Sequence, residues 1–75
     1  MITYRYKSPI GVFSIIPRNG RWALWFEDDI LGMYNSSVAA ADDVYTKATG
    51  HYDWDSLDSV DGPTDVYEWD KVTLR

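Results

Sequence analysis

The sequence predicts an α+β domain: a four-stranded antiparallel β-meander, one helix packed on one face, and an acidic, aromatic C-terminal tail folded back. Three observations predict it. The first third alternates with a period of two and is broken by turn residues at short intervals. Residues 38–49 change to a helical period, with small apolar side chains along one arc. The remainder keeps no period, yet it is too aromatic to stay in solvent.

Residues 2–7 open the meander, with Ile2, Tyr4 and Tyr6 pointing one way and Thr3, Arg5 and Lys7 the other. Ser8-Pro9-Ile10-Gly11 is a turn, because Pro fixes φ and Gly permits positive φ. A second strand runs from Val12 to Pro17. Asn19-Gly20 then calls for a type I′ hairpin, whose two central residues need positive φ. The third strand, Arg21 to Glu27, sets Trp22, Leu24 and Phe26 against Ala23 and Trp25. Glu27-Asp28-Asp29 turns the chain into a shorter fourth strand, Ile30 to Tyr34.

Asn35-Ser36-Ser37 offers N-cap oxygens for a helix over 37–49. On a helical wheel Val38, Ala40, Ala41, Val44, Tyr45 and Ala48 share an arc of about 160°. Asp42, Asp43, Thr46 and Lys47 fill the other side, with Asp43 and Lys47 spaced as a favourable i,i+4 pair. Gly50 stands where a left-handed C-cap belongs. The tail, 51–75, mixes Tyr52, Trp54, Tyr67 and Trp69 with acids. Its stretch from Thr64 to Val72 reads either as a strand or as a short helix capped by Thr64. Strands two and three are apolar on both sides, which one helix cannot cover. The second side is then covered by the tail, through Trp54, Tyr67 and Trp69, or by a partner.

Seventy-five residues make one domain, near the lower limit for folding without staples. With no cysteine, disulfides and thiolate metal sites are excluded, so stability must come from packing twelve aromatic side chains. The N-terminus lacks the apolar core of a signal peptide and no run approaches 18 apolar residues; a cytoplasmic protein is the expectation.

Charge is segregated. Residues 1–26 hold Arg5, Lys7, Arg18 and Arg21 and no acid, whereas all twelve acids lie in 27–70 against the single base Lys47. Lys71 and Arg75 close the chain at a net charge of −5. Either two surfaces serve two kinds of partner, or one half of the fold neutralises the other. A tail docked on the second sheet face would bring its acids near Arg5 and Lys7 and screen them.

Arg21-Trp22, Leu31-Gly32, the serine pair, Ala39-Ala40-Ala41 and Tyr45 resemble the three-strand-plus-helix plan of AP2-type and integrase arm-type DNA-binding domains. The likeness covers 12–48 and implies an architecture. The insertion strands of such domains carry several arginines, where this chain keeps only Arg18 and Arg21. A broader pattern is Gly20-Arg21-Trp22, Leu31-Gly32-Met33-Tyr34, Ala39 to Val44, Thr49-Gly50 and Trp54-Asp55. It resembles a family of small bacterial proteins without an assigned activity, which implies a bacterial or phage setting and no chemistry.

Catalytic parts are few. His51 is the only histidine, read as a solvated neighbour of the helix end, so nucleophilic triads and zinc sites lack members. Asp53 and Asp55 could form an acid–base pair, but among twelve acids such pairs arise by chance. Asp53, Asp55, Asp58 and Asp61 miss the 1, 3, 5 spacing of a calcium loop and read as a solvated acidic loop. The expectation is a non-enzymatic binding module with no cofactor and no metal. Its partner is expected to be a protein, of basic character, met by Asp42, Asp43, Asp53, Asp55 and Asp58, in the manner of an inhibitor or decoy. The alternative is nucleic-acid binding through Arg5, Lys7, Arg21 and Trp25, cations beside an aromatic. A third reading is a structural module that associates with itself.

Overall fold

The computed structural model describes residues 2–73. Its order is β1 (Ile2–Ser8), β2 (Gly11–Arg18), β3 (Arg21–Phe26), β4 (Asp29–Tyr34), α1 (Ser37–Tyr45), α2 (Tyr52–Asp55), a 3₁₀ turn (Val66–Glu68) and β5 (Asp70–Thr73). The sheet is wholly antiparallel, in the order β4-β3-β2-β1-β5. The four-strand meander is present, and the tail adds a fifth strand along the open edge of β1. Thr3 Oγ1 donates to the Val72 carbonyl at 3.3 Å across that pair. The two readings of 64–72 thus each hold for part of it: a 3₁₀ turn first, then a strand.

Asn19 and Gly20 sit at φ 52° and 77°, the two positive values a type I′ hairpin requires. At the other end of the sheet Gly11 has φ 152°, and a Cβ there would lie 2.6 Å from Phe26 Cζ. Only glycine lets the β1–β2 turn lie this close to the Phe26 ring.

Helix α1 starts where the sequence places it: Ser36 Oγ accepts from the Ala39 amide at 3.1 Å. It ends at Tyr45, four residues short of the expected end. The left-handed residue beyond it is Lys47 (φ 61°), with Gly50 (φ 84°) three residues later. Ala40, Ala41 and Val44 are buried as expected, whereas Val38 is 57% exposed and Tyr45 and Ala48 also face solvent. The buried arc is narrower because the helix meets the sheet through its alanines, which allow close approach.

One core forms on one side of the sheet. Phe13, Ile15 and Leu24 from the strands meet Ala40, Ala41 and Val44 from α1 and Trp54, Val66 and Trp69 from the tail. Phe13 is its hub, edge-on to Phe26 at 4.9 Å and to Trp54 at 5.1 Å between ring centroids. Trp54 is fully buried, and its Nε1 donates to the Val44 carbonyl at 2.8 Å, which ties the tail to α1. The tail therefore docks on the same face as the helix, through Trp54 and Trp69, while Tyr67 is 83% exposed. Large aromatics explain the choice: Tyr4, Tyr6, Phe13, Trp22 and Phe26 stand so far off this face that α1 alone leaves gaps that only further rings fill.

Candidate functional site: the open face of the sheet

Because helix and tail share one side, the other side of the sheet carries no layer among the described residues. Register fixes its membership. Partners across an antiparallel pair point the same way, and Phe13 and Ile15 point into the core. The open face therefore holds Thr3, Arg5 and Lys7 from β1, Val12, Ser14, Ile16 and Arg18 from β2, and Arg21, Ala23 and Trp25 from β3. Met33 and Ile30 follow from β4, paired with Ala23 and Trp25 on either side of a register shift. Asp70 and Val72 of β5 complete it opposite Arg5 and Thr3.

Apolar side chains occupy the centre, with half-buried Ile16 and Met33 on either side of fully buried Ala23 in one row and half-buried Trp25 beside the exposed Ile30 in the next. Cations frame them. Arg18 and Arg21 pair at the hairpin end of β2 and β3, where Arg21 Nη2 donates to the Met33 carbonyl at 3.4 Å. Arg5 and Lys7 lie toward the opposite end. There Arg5, Val12, Ser14, Glu27 and Asp28 line a shallow cavity of about 270 Å³. Glu27 takes φ 50°, and its Oε1 accepts from the Val12 amide at 2.9 Å, which folds its carboxylate over the strand end. The face thus sets four cations against three carboxylates: Glu27, Asp28 and Asp70.

The alternative nucleic-acid residues Arg5, Lys7, Arg21 and Trp25 are thereby brought to one surface. Arg18 joins them, which the sequence signalled only through its pairing across Asn19-Gly20. The expected screening of Arg5 and Lys7 by the tail is corrected: the tail lies on the other side, and Asp70 alone comes opposite Arg5.

Of the five acids of the expected partner surface, Asp43 and Asp55 are engaged within the fold. Asp43 Oδ2 accepts from the Tyr34 hydroxyl at 2.7 Å. Burial first, then this bond and the nearby Asp43 and Asp55 charges, raise the Tyr34 phenol well above its ordinary value. Asp55 accepts from the Thr49 amide and hydroxyl and from the Gly50 amide, at 3.0, 2.8 and 2.9 Å, and so builds the bend between α1 and α2. Asp42, Asp53 and Asp58 remain exposed.

Lys47, expected to pair with Asp43, turns away instead. Its Nζ donates to the Leu57 and Val60 carbonyls at 2.6 and 2.7 Å and stands 3.8 Å over the Trp54 ring. His51 is half-buried and stacks on Phe26 at 4.2 Å, rather than being solvated. Among the described residues no group of three or more His, Asp or Glu side chains could hold a metal ion, and no helix is long and apolar enough to cross a membrane.

Fold and face together define a small α+β domain with one covered and one open sheet face. Comparison with family models, with curated proteins and with solved structures finds no match.

Proposed function

We propose that this protein is a small non-enzymatic protein-interaction module, and that it binds through the open face of its sheet. The observation that supports this reading is the face itself: an apolar centre of half-buried Ile16, Trp25 and Met33 and exposed Ile30, framed by Arg5, Lys7, Arg18 and Arg21. Trp, Met and Arg around an apolar centre are what protein interfaces are enriched in. A polyanion meets less favourable terms there, since Glu27, Asp28 and Asp70 sit among the cations and only one aromatic is available for stacking. The acidic side offers Asp42, Asp53 and Asp58 as exposed charges, while Asp43 and Asp55 are occupied within the fold. A bacterial, cytoplasmic setting suits a chain that relies on packing and carries no cysteine.

Site-specific photo-crosslinking tests this. A benzophenone side chain at Met33 reports on the open face and one at Asp58 on the acidic side. Adducts with protein from position 33 and none from 58 are expected in a lysate of the source cell. Adducts confined to position 58 would transfer the function to the acidic side. Nucleic-acid adducts at 33, with binding that falls steeply as salt rises from about 50 mM, would replace a protein partner by a nucleic acid.

A further inference from the structure

The two tryptophans of the tail are buried on opposite terms, and from that contrast we infer that the tail is two units. Residues 51–62 are anchored. Residues 64–73 form a strap that opens and closes along the edge of β1 while the rest of the domain stays folded. In the anchored unit, Trp54 satisfies its indole N–H on the Val44 carbonyl at 2.8 Å. Around it Lys47 donates to the Leu57 and Val60 carbonyls, and Asp55 accepts three hydrogen bonds from Thr49 and Gly50. Gly62, buried against the Trp54 ring, closes this unit.

Beyond Pro63 the fastenings change. Trp69 is 4% exposed, yet among the described residues its Nε1 has no acceptor. Undocked, that N–H bonds to water; docked, it gives the bond up, a cost that Trp54 does not meet. The hydrogen bonds that shape the start of the strap are internal to it. Thr64 donates its amide and hydroxyl to Glu68, Tyr67 donates to the Asp65 carboxylate, and the Glu68 and Trp69 amides donate to the Asp65 and Val66 carbonyls. They survive opening and so do not resist it. Strand β5 has four residues, with Asp70, Lys71 and Thr73 exposed and Val72 half-buried. What holds the strap is therefore Val66, Trp69 and one short ladder to β1. Segments with few buried apolar side chains and solvent-exposed backbone hydrogen bonds are the ones that open below the global free energy. Opening uncovers the edge of β1 and the Tyr6 ring, which lies 5.7 Å from Trp69 between centroids. It also takes Asp70 from opposite Arg5, so the charge of the open face changes with the strap.

Native-state hydrogen exchange of the full chain, read by NMR at low urea, tests this. The amides of Glu68, Trp69 and Val72 and the Trp69 indole proton should share one protection factor, at least ~100-fold below those of the Trp54 indole and the β2 and β3 amides. Their dependence on urea should be shallower, because opening the strap exposes less surface than unfolding the domain. A disulfide across the ladder, Arg5→Cys with Asp70→Cys, ties neighbouring exposed positions and closes the strap. Oxidised, this variant should protect the same protons at least ~10-fold better than when reduced. The inference is overturned if the Trp69 indole is as protected as that of Trp54. It is equally overturned if protection declines stepwise from Trp69 to Val72, which is fraying, or if oxidation leaves the exchange unchanged. Should the bridged variant not fold, the wild-type pattern decides alone.

Discussion

Replacing Lys47 by Met would remove the cation that fastens the tail to the helix while keeping most of its apolar stem. Three interactions go: the Nζ donations to Leu57 and Val60 at 2.6 and 2.7 Å, and the ammonium 3.8 Å above Trp54. Hydrogen bonds from a charged donor contribute roughly 1.5–3 kcal/mol each where water is excluded, and a cation over an indole about 0.5–2 kcal/mol. Lys47 is only half-buried, so water reaches part of the site and the sum is to be discounted. A net loss of about 2–4 kcal/mol remains. For 75 residues the unfolding entropy is about 0.16 kcal/mol per degree, so each kcal/mol moves the midpoint by roughly 6 °C. Thermal unfolding followed by circular dichroism and tryptophan fluorescence should therefore show a drop of about 12–25 °C. A midpoint within about 3 °C of the wild type would refute the reasoning, because the clamp would then contribute no more than an ordinary surface lysine.

Four further outcomes are expected. Gly11→Ala should cost about 2–4 kcal/mol in urea unfolding, since its Cβ meets Phe26 at 2.6 Å with φ at 152°. Gly20→Ala, with φ 77° but nothing within 4 Å, should cost only about 1 kcal/mol of backbone strain. Asp55→Ala should lose about 2–3 kcal/mol with its three accepted hydrogen bonds, and Asp58→Ala about 0.5 kcal/mol or less. Tyr34 has its folded pKa raised above the ordinary 10.0, so the unfolded chain ionises first and stability falls as pH rises past 10. Tyr34→Phe should be the less stable protein at pH 7, and its deficit should shrink above pH 10 in denaturant titrations. Truncation after Gly50 removes β5, Trp54, Val66 and Trp69 from the core, and the remaining fragment should show no cooperative melt.

The meander was legible because each of its turns has a local chemical cause: Pro9 with Gly11, then Asn19-Gly20, then the acidic run at 27–29. The start of α1 was equally local, set by Ser36. Its end was not, because Lys47 leaves the helix for two carbonyls ten and thirteen residues away, and no local pattern records that. The tail was legible only as something that must dock. Which face it would choose depended on the volume left beneath α1 by Tyr6, Phe13 and Phe26, a tertiary quantity absent from periodicity. The same choice decided the candidate site. The sequence showed two apolar sides and a basic first third. Only the position of Trp54 and Trp69 reveals that the basic side is the one left open.

Amide proton–nitrogen NMR spectra of the labelled chain, recorded before and after addition of protein extract from the source cell, address the central claim most directly, because they read every surface of the native chain at once. Shifts and line broadening on addition of the extract should gather at Arg5, Ser14, Ile16, Arg18, Arg21, Trp25 and Met33, and leave Asp42, Asp53 and Asp58 unmoved. Shifts gathered at those acids, with the sheet residues unchanged, would contradict the account.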